Sequence, residues 1–123
     1  MITALIADDS VFMRKLIGKI LSDLDIKVVG EASNGYELLE LIRKYSPDLI
    51  ILDINMPKMD GMKVLFELRK LNINARIIVI TALSQEWVRN EAVNLGVAAF
   101  IAKPFKPDKL KEVITNVIRQ KTY

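Results

Sequence analysis

Short runs of aliphatic residues alternate along this chain with longer segments in which apolar residues recur at every third or fourth position. The aliphatic runs predict β-strands at about 2–7, 27–32, 48–53, 76–81 and 97–102. Three of these runs are almost continuously aliphatic, which is typical of parallel strands that are covered on both faces. The breaks between elements fall at turn-forming pairs such as Asn34-Gly35 and Asp60-Gly61.

The segments between the strands have the spacing of amphipathic helices. Their apolar stripes contain Ile17 and Leu21 in the first helix, Leu38, Leu41, Ile42 and Tyr45 in the second, Leu65, Leu68 and Leu71 in the third, and Leu110 and Ile114 in the last. The fourth helix, at about 84–95, has only Val88, Ala92 and Leu95 in register. We therefore expect the fourth helix to pack lightly, and lightly packed helices are the ones that move.

Five strand–helix units in a chain of 123 residues predict one α/β domain over residues 1–123. Right-handed crossovers between parallel strands place helices on both faces of the sheet, which makes the fold doubly wound. Ligands of such sheets bind beyond the carboxyl ends of the strands, where the strand order reverses. The residues at those ends are therefore the first candidates for a functional site.

The composition narrows the possible chemistry. The chain has no cysteine and no histidine, which excludes thiol catalysis, a serine–histidine triad and metal binding through imidazole. A metal would have to sit on oxygen ligands, which favours magnesium, calcium or manganese. The 18 Lys and Arg against 15 Asp and Glu are scattered, so nucleic acid is not an expected partner. No long apolar run or signal-peptide pattern is present, so we expect a cytoplasmic protein without a membrane span.

Charged and polar residues collect at the carboxyl ends of four of the five predicted strands. They are Asp8 and Asp9 after the first strand, Asp53 and Asn55 after the third, Thr81 at the end of the fourth and Lys103 after the fifth. Taken singly, Asp9 or Ser10 could cap a helix, Asp53 could belong to a turn and Lys103 could be a solvated side chain. Because parallel strands present these ends at one edge, their joint occurrence favours a single site.

Four segments, IADDSVFMR, LDINMPKMDG, VITAL and AFIAKPF, resemble the receiver domain of two-component response regulators in order and spacing. The resemblance covers essentially the whole chain, and the length is similar to that of the single-domain chemotaxis regulators of the CheY type. It implies a flavodoxin-like (βα)5 fold, with a parallel five-stranded sheet in the order 2-1-3-4-5 flanked by five helices. That order places the first strand beside the third, so that Asp8 and Asp9 neighbour Asp53.

The resemblance also implies a role for each residue of the acidic group. Asp53 is the phosphoacceptor. Mg2+ is bound by the carboxylates of Asp9 and Asp53 and by the backbone carbonyl of Asn55, while Asp8 acts mostly through a metal-bound water. One Mg2+ and one lysine would balance the three carboxylates, which otherwise repel one another.

Further roles follow from the resemblance for the later strands. Thr81 and Lys103 hold phosphoryl oxygens, and the Lys103–Pro104 bond is usually cis in this family. Phe100 occupies the aromatic switch position, although without the resemblance it would be an ordinary residue of the sheet packing. Leu83 is expected to affect water access to the acyl phosphate. Phosphorylation alters the face formed by the fourth helix, the fifth strand and the fifth helix, as a shift between two conformations.

The partners follow from the missing histidine and from the resemblance. The phosphoryl donor must come from outside, and the resemblance implies the phosphohistidine of a CheA-like histidine kinase. Output passes through contact with a downstream protein of the motility or adaptor type, and we expect a monomer. The protein would be a signalling protein that catalyses only its own phosphorylation and dephosphorylation, rather than an enzyme. Trp87, in the fourth helix, is either an exposed anchor for a partner or a residue of the core.

Other functions share parts of this pattern. A haloacid dehalogenase-type phosphohydrolase also uses an aspartate nucleophile, a lysine and Mg2+, but Asn55 stands where its general acid would be. The segment GEASNGYE has the glycine spacing of a nucleotide-binding loop without its lysine and Ser/Thr. A flavin-binding protein shares the fold but needs a hydroxyl- and glycine-rich loop after the first strand. Within the receiver family, the alternative is another single-domain regulator or a fragment of a longer one, although we expect Met1 and the tail RQKTY to be natural ends.

Overall fold

Five β-strands alternate with five α-helices in the computed structural model, which describes residues 1–83 and 85–119. The elements are β1 (Thr3–Ala7), α1 (Val11–Asp23), β2 (Lys27–Ala32), α2 (Gly35–Tyr45), β3 (Leu49–Leu52), α3 (Gly61–Lys70), β4 (Arg76–Thr81), α4 (Glu86–Asn94), β5 (Ala99–Ala102) and α5 (Pro107–Arg119). The alternation is the one that the apolar pattern predicts, and each strand lies within two residues of its predicted bounds. The predicted tail after Arg119 lies outside the described residues.

The strands form one parallel sheet in the order β2-β1-β3-β4-β5. The predicted doubly wound, flavodoxin-like fold is therefore confirmed. Between β1 and β3, Ala7 pairs with Leu52, and between β4 and β5, Thr81 pairs with Ala102. Between β3 and β4, Leu52 pairs with Val79, so the carboxyl ends of β1, β3, β4 and β5 lie within two residues of one another along the sheet edge. The strand order reverses at β1 and β3, which is where such sheets hold their ligands.

Two hydrophobic cores lie on opposite faces of the sheet. One packs α2, α3 and α4 against residues such as Ile50 and Leu52, and the other packs α1 and α5 against Leu49 and Ile51. Successive residues of β3 thus point into different cores, as the period of two in a strand requires. Burial on both faces is the reason that this strand is aliphatic at every position.

Two predicted core positions were wrong. Tyr45, the last residue of α2, is 40% exposed because it lies at the end of the helix, beyond the part that packs on the sheet. The apolar spacing also predicts Leu71 in the buried stripe of the third helix, but Leu71 is 48% exposed and follows the last residue of α3 as its C-cap. The helix ends at Lys70, so the turn that would have carried Leu71 onto the apolar face does not form. Val64, about two turns earlier on the same face, is fully buried.

The fourth helix is as lightly packed as its sequence predicts. Of the nine described residues of α4, Val88 and Ala92 are the buried ones. Leu95 follows as the C-cap and is only partly buried, and Ser84, the first position of the predicted range, lies outside the described residues. Trp87 is 68% exposed, which resolves the question of whether it belongs to the core. No helix within residues 1–83 and 85–119 is long and apolar enough to cross a membrane.

Candidate functional site

The carboxyl ends of the strands bring four of the predicted side chains to one edge of the sheet. Asp8 follows β1, Asp53 follows β3, Thr81 ends β4 and Lys103 follows β5. The first three are buried, with exposed fractions of 1%, 6% and 0%. The backbone N–H of Asp53 donates to the carbonyl of Ala7 at 2.8 Å, so the β1–β3 ladder extends to the site and holds the two acidic strand ends together.

Lys103 links the carboxylates of β1 and β3. Its Nζ donates to Oδ2 of Asp8 and to Oδ2 of Asp53, each at 2.8 Å. Burial by itself lowers the pKa of Lys103, but hydrogen bonds and charge from Asp53 and Asp8 outweigh it and raise the pKa above its ordinary value. The backbone N–H of Lys103 donates to the carbonyl of Thr81 at 2.8 Å, which anchors this lysine to β4.

Backbone N–H groups hold the other oxygen of each buried carboxylate. Oδ1 of Asp8 accepts from the N–H of Ser10, and Oδ1 of Asp53 accepts from the N–H of Asn55, both at 2.9 Å. These are side-chain-to-backbone turns of two residues, which aspartate forms readily. With Lys103 on the opposite oxygen, each carboxylate has two fixed anchors and therefore a defined orientation.

Asp8, Asp9 and Asp53 form an acidic cluster. One carboxylate oxygen from each residue lies within 4.8 Å of the others. Magnesium prefers oxygen ligands and uses one or two carboxylates together with water, so this donor set fits the ion. Asp9 is exposed, whereas the other two are buried, so an ion would enter from the side of Asp9. Binding of the ion by the backbone carbonyl of Asn55 stays a prediction.

Of the two residues that could cap the first helix, Asp9 and Ser10, the structure shows Ser10 as the cap. Ser10 is the N-cap of α1, and its Oγ accepts from the N–H of Met13 at 3.2 Å. Asp9 is thus not needed as a cap. A further neighbour, which the sequence pattern did not single out, is Arg14, whose guanidinium donates to the backbone carbonyl of Asp8 at 2.6 Å. No periodicity marks Arg14, since its partners are set by the fold.

The residues predicted to transmit a signal lie beside the site. Oγ1 of Thr81, the last residue of β4, accepts at 3.1 Å from the N–H of Leu83, two residues beyond the strand. Phe100, on β5, is half-buried, and the guanidinium of Arg89 from α4 lies 6.0 Å from the centre of its ring. The peptide bond between Lys103 and its following proline is cis, as the resemblance implies.

The segment GEASNGYE forms a helix start rather than a phosphate-binding loop. Asn34 is the N-cap of α2 and accepts from the N–H of Glu37 at 3.0 Å. The N–H of Gly35 donates to the carbonyl of Met59 at 3.0 Å, and a Cβ on Gly35 would lie 2.5 Å from that oxygen. The glycine is therefore required by close packing against the β3–α3 loop, and its N–H is not available to an anion.

Comparisons with known proteins give a consistent picture. The sequence model of the family described as Response regulator receiver domain matches residues 4–115. The chain is 40% identical to the chemotaxis protein CheY of Bacillus subtilis, over 93% of this chain and 95% of that protein. It is 39% identical to the chemotaxis protein CheY of Thermotoga maritima, over 92% of this chain and 94% of that protein. A chain in the crystal structure of the CheX–CheY–BeF3–Mg2+ complex from Borrelia burgdorferi is similar with a TM-score of 0.92 and 31% identity, covering 97% of this chain and 90% of that chain.

Proposed function

This chain belongs to the family of response regulator receiver domains, and from that premise we propose that it is a stand-alone regulator over residues 1–123 that accepts a phosphoryl group on Asp53. The observation that carries the proposal is the position of Lys103 Nζ, at 2.8 Å from carboxylate oxygens of both Asp8 and Asp53. A carboxylate that is buried, oriented and paired with a fixed cation suits the transfer of a highly charged group. Asp53 is the carboxylate that also has Thr81 on the neighbouring strand.

In the proposed reaction, an oxygen of Asp53 attacks the phosphorus of a phosphohistidine on a partner kinase. The new bond joins oxygen and phosphorus, and the imidazole of the kinase leaves with the electron pair of the broken nitrogen–phosphorus bond. Lys103 and the N–H of Asn55 orient the Asp53 carboxylate for this attack. The ammonium of Lys103 also stabilises negative charge on the transferred oxygens.

A divalent ion would complete the charge balance of the acidic cluster. We propose that Asp9 and Asp53 hold Mg2+ through their carboxylates, together with the carbonyl of Asn55, while Asp8 contributes through water. When bound, Mg2+ would neutralise charge on the phosphoryl oxygens and on the three carboxylates. The oxygen donors within 4.8 Å of one another support this assignment, because they match the ligand preference of the ion.

The proposed signal begins at Thr81. Its buried hydroxyl would turn to donate to a phosphoryl oxygen, which adds both charge and hydrogen-bond acceptors to the site. Phe100 would then change its packing beside α4, and the face formed by α4, β5 and α5 would change its affinity for a partner. The light packing of α4 supports this element as the part that responds.

The proposed pathway is chemotaxis or motility control. Similarity to CheY proteins over more than nine-tenths of their length supports a CheA-like kinase as the donor and a motility or adaptor protein as the target. The Borrelia burgdorferi relative is crystallised with CheX, which supports partners drawn from the same system. We propose no catalytic activity for this protein beyond forming and hydrolysing its own acyl phosphate. Leu83 would influence how fast water reaches the phosphorylated Asp53.

The test is phosphorylation by acetyl phosphate in the presence of Mg2+, read by intact mass. We expect the wild type to gain one phosphoryl group, which hydroxylamine removes because it cleaves acyl phosphates. Asp53→Asn should gain none, and Asp25→Asn, which changes an exposed aspartate in the turn after α1, should behave as the wild type. Modification of Asp53→Asn would overturn the assignment, and rapid turnover of a phosphate monoester by the wild type would favour the haloacid dehalogenase type.

A further inference from the structure

The three carboxylates of the acidic cluster are held in different ways. Asp8 and Asp53 each accept from Lys103 on one oxygen and from a backbone N–H on the other. Asp9 is exposed, and within residues 1–83 and 85–119 its carboxylate has no hydrogen bond or ion pair. The position of the Asp9 carboxylate in the cluster therefore depends on how the backbone on either side of its Cα is held.

Both sides of that backbone are anchored, and Arg14 supplies one anchor. Its Nη1 donates at 2.6 Å to the carbonyl oxygen of Asp8, which belongs to the peptide group that joins Asp8 to Asp9. On the other side of Asp9, the N–H of Ser10 donates to the Asp8 carboxylate at 2.9 Å. A peptide group is planar, so holding its oxygen also orients the nitrogen and the Cα of Asp9.

Arg14 is itself held by the neighbouring strand. Its Nε donates to Oε1 of Glu31, on β2, at 3.0 Å, and the Arg14 side chain is only 16% exposed. One guanidinium thus joins the first turn of α1, the edge strand of the sheet and the peptide group before Asp9. The rigid, forked donor geometry of arginine allows these two contacts at once, whereas the single ammonium of lysine is less suited to them.

We propose that Arg14 is a positioning residue for Asp9, which it holds in place for binding the divalent ion. This inference rests on the proposed function, because it assumes that Mg2+ binds at the acidic cluster. The charge of Arg14 alone would oppose binding of a cation, since like charges repel. If Arg14 positions Asp9, a variant without the guanidinium should bind the ion more weakly. If Arg14 acts only through its charge, the same variant should bind the ion more tightly.

The experiment measures the affinity of the folded protein for Mn2+ by electron paramagnetic resonance, and for Mg2+ by competition. We expect Arg14→Gln to weaken binding of both ions by roughly tenfold, which is the low end of the range for residues that orient metal ligands. If Arg14 acted only through its charge, the same variant would bind the ions more tightly. Unchanged or tighter binding would overturn the proposal.

Two further variants control for charge. Arg14→Lys keeps the positive charge but should still weaken binding, by about threefold to tenfold, because one ammonium replaces the fork. Lys15→Gln removes an exposed positive charge at the next position, and we expect equal or slightly tighter binding. If Arg14→Gln does not fold, the comparison of Arg14→Lys with the wild type decides: equal affinity overturns the proposal and weaker affinity supports it.

A second readout distinguishes positioning from general loss of structure. At saturating Mg2+, the rate of phosphorylation of Arg14→Lys by acetyl phosphate should return to within about twofold of the wild type, because only the affinity for the ion is impaired. A rate that stays low at saturation would contradict the positioning role. If the wild type itself binds neither ion, the proposed function fails; if the wild type binds and the Arg14 variants bind equally well, only this inference fails.

Discussion

Helices α1, α2 and α3 begin differently from α4. Side chains of Ser10, Asn34 and Asp60 cap the first three, each by accepting from a backbone N–H in the first turn. In the part of the chain that the structure describes, the N-cap of α4, Gln85, makes no such side-chain bond. The first three helices also bury three or four residues each, whereas α4 buries two of its nine. The capped helices α1, α2 and α3 form one region of this comparison, and the lightly packed α4 forms the other.

This difference separates two requirements that the proposed function places on one small domain. Phosphoryl transfer needs oxygens that are held in fixed directions, and the capped helices with β1 and β3 provide them. A signal needs an element whose conformation changes at low cost, and a helix with few buried contacts provides it. Thr81 connects the two requirements. It lies at the edge of the sheet that carries the acidic cluster, and its strand, β4, pairs with β5.

The largest expected effect comes from matched substitutions that compare the packing of α3 with that of α4. Val64 in α3 and Val88 in α4 are both buried in the same core. We expect Val64→Ala to lower the free energy of unfolding by about 2–3 kcal/mol and Val88→Ala by about 1 kcal/mol, because a lightly held helix can close over the lost volume. Urea unfolding of both variants measures the difference. Equal losses would show that α4 is packed as firmly as α3.

An intermediate effect is expected from giving α4 the cap that it lacks. The backbone of Gln85 is already extended, with φ −61° and ψ 140°, as an N-cap requires. We expect Gln85→Asp to raise the free energy of unfolding by about 1 kcal/mol, since its carboxylate can accept from the first-turn N–H groups and favours the helix N-terminus. Urea unfolding measures the gain, and Gln85→Ala is the control. A gain of the same size in the alanine variant would mean that capping is not the cause.

The smallest expected effect concerns the cap of α2 and its dependence on pH. The N–H and hydroxyl of Ser33 donate to Oε1 of Glu37, each at 2.7 Å, and these bonds lower the pKa of Glu37 below its ordinary value of 4.5. A carboxyl whose pKa is lower in the folded state than in the unfolded state stabilises the fold at pH values above its unfolded pKa. That contribution is lost as the pH falls through the folded pKa.

Glu37→Gln should therefore be slightly less stable than the wild type at neutral pH. The difference should shrink as the pH falls below 4.5, where the wild-type carboxyl takes up its proton. Urea unfolding at neutral pH and through the acid range measures this convergence. Glu40→Gln, on the same helix, controls for the loss of one negative charge. A difference that widens toward acid pH would contradict the assignment.

Much of the fold and of the site could be predicted from local pattern. Aliphatic runs and helical stripes depend on neighbours within a few positions, so the five strands and the lightly packed α4 were visible in the sequence. The burial predicted for Leu71 is wrong because the end of a helix depends on capping contacts rather than on periodicity. The pattern does not decide the burial of Trp87, because an aromatic residue in a weak stripe fits either environment.

Long-range contacts were not available from pattern. Arg14 was missed because its partner Glu31 lies 17 positions away, on another element, and nothing in the spacing connects them. The residues at the strand ends could be named because parallel strands end at one edge. Their separate roles came only from the resemblance, and they stay proposals until phosphorylation is measured.

The amino-acid sequence by itself determined the order of strands and helices and which polar side chains follow each strand, because both depend on interactions between near neighbours. The tertiary structure decided which of those side chains meet. Lys103 reaches Asp8 across 95 positions only because the strand order sets β1 beside β3 and the registers bring the strand ends to the same edge of the sheet. It also decided that the carboxylates of Asp8 and Asp53 are held directly, by Lys103 and by backbone N–H groups, whereas Asp9 is held only through its backbone, since burial and partners are properties of the packed sheet.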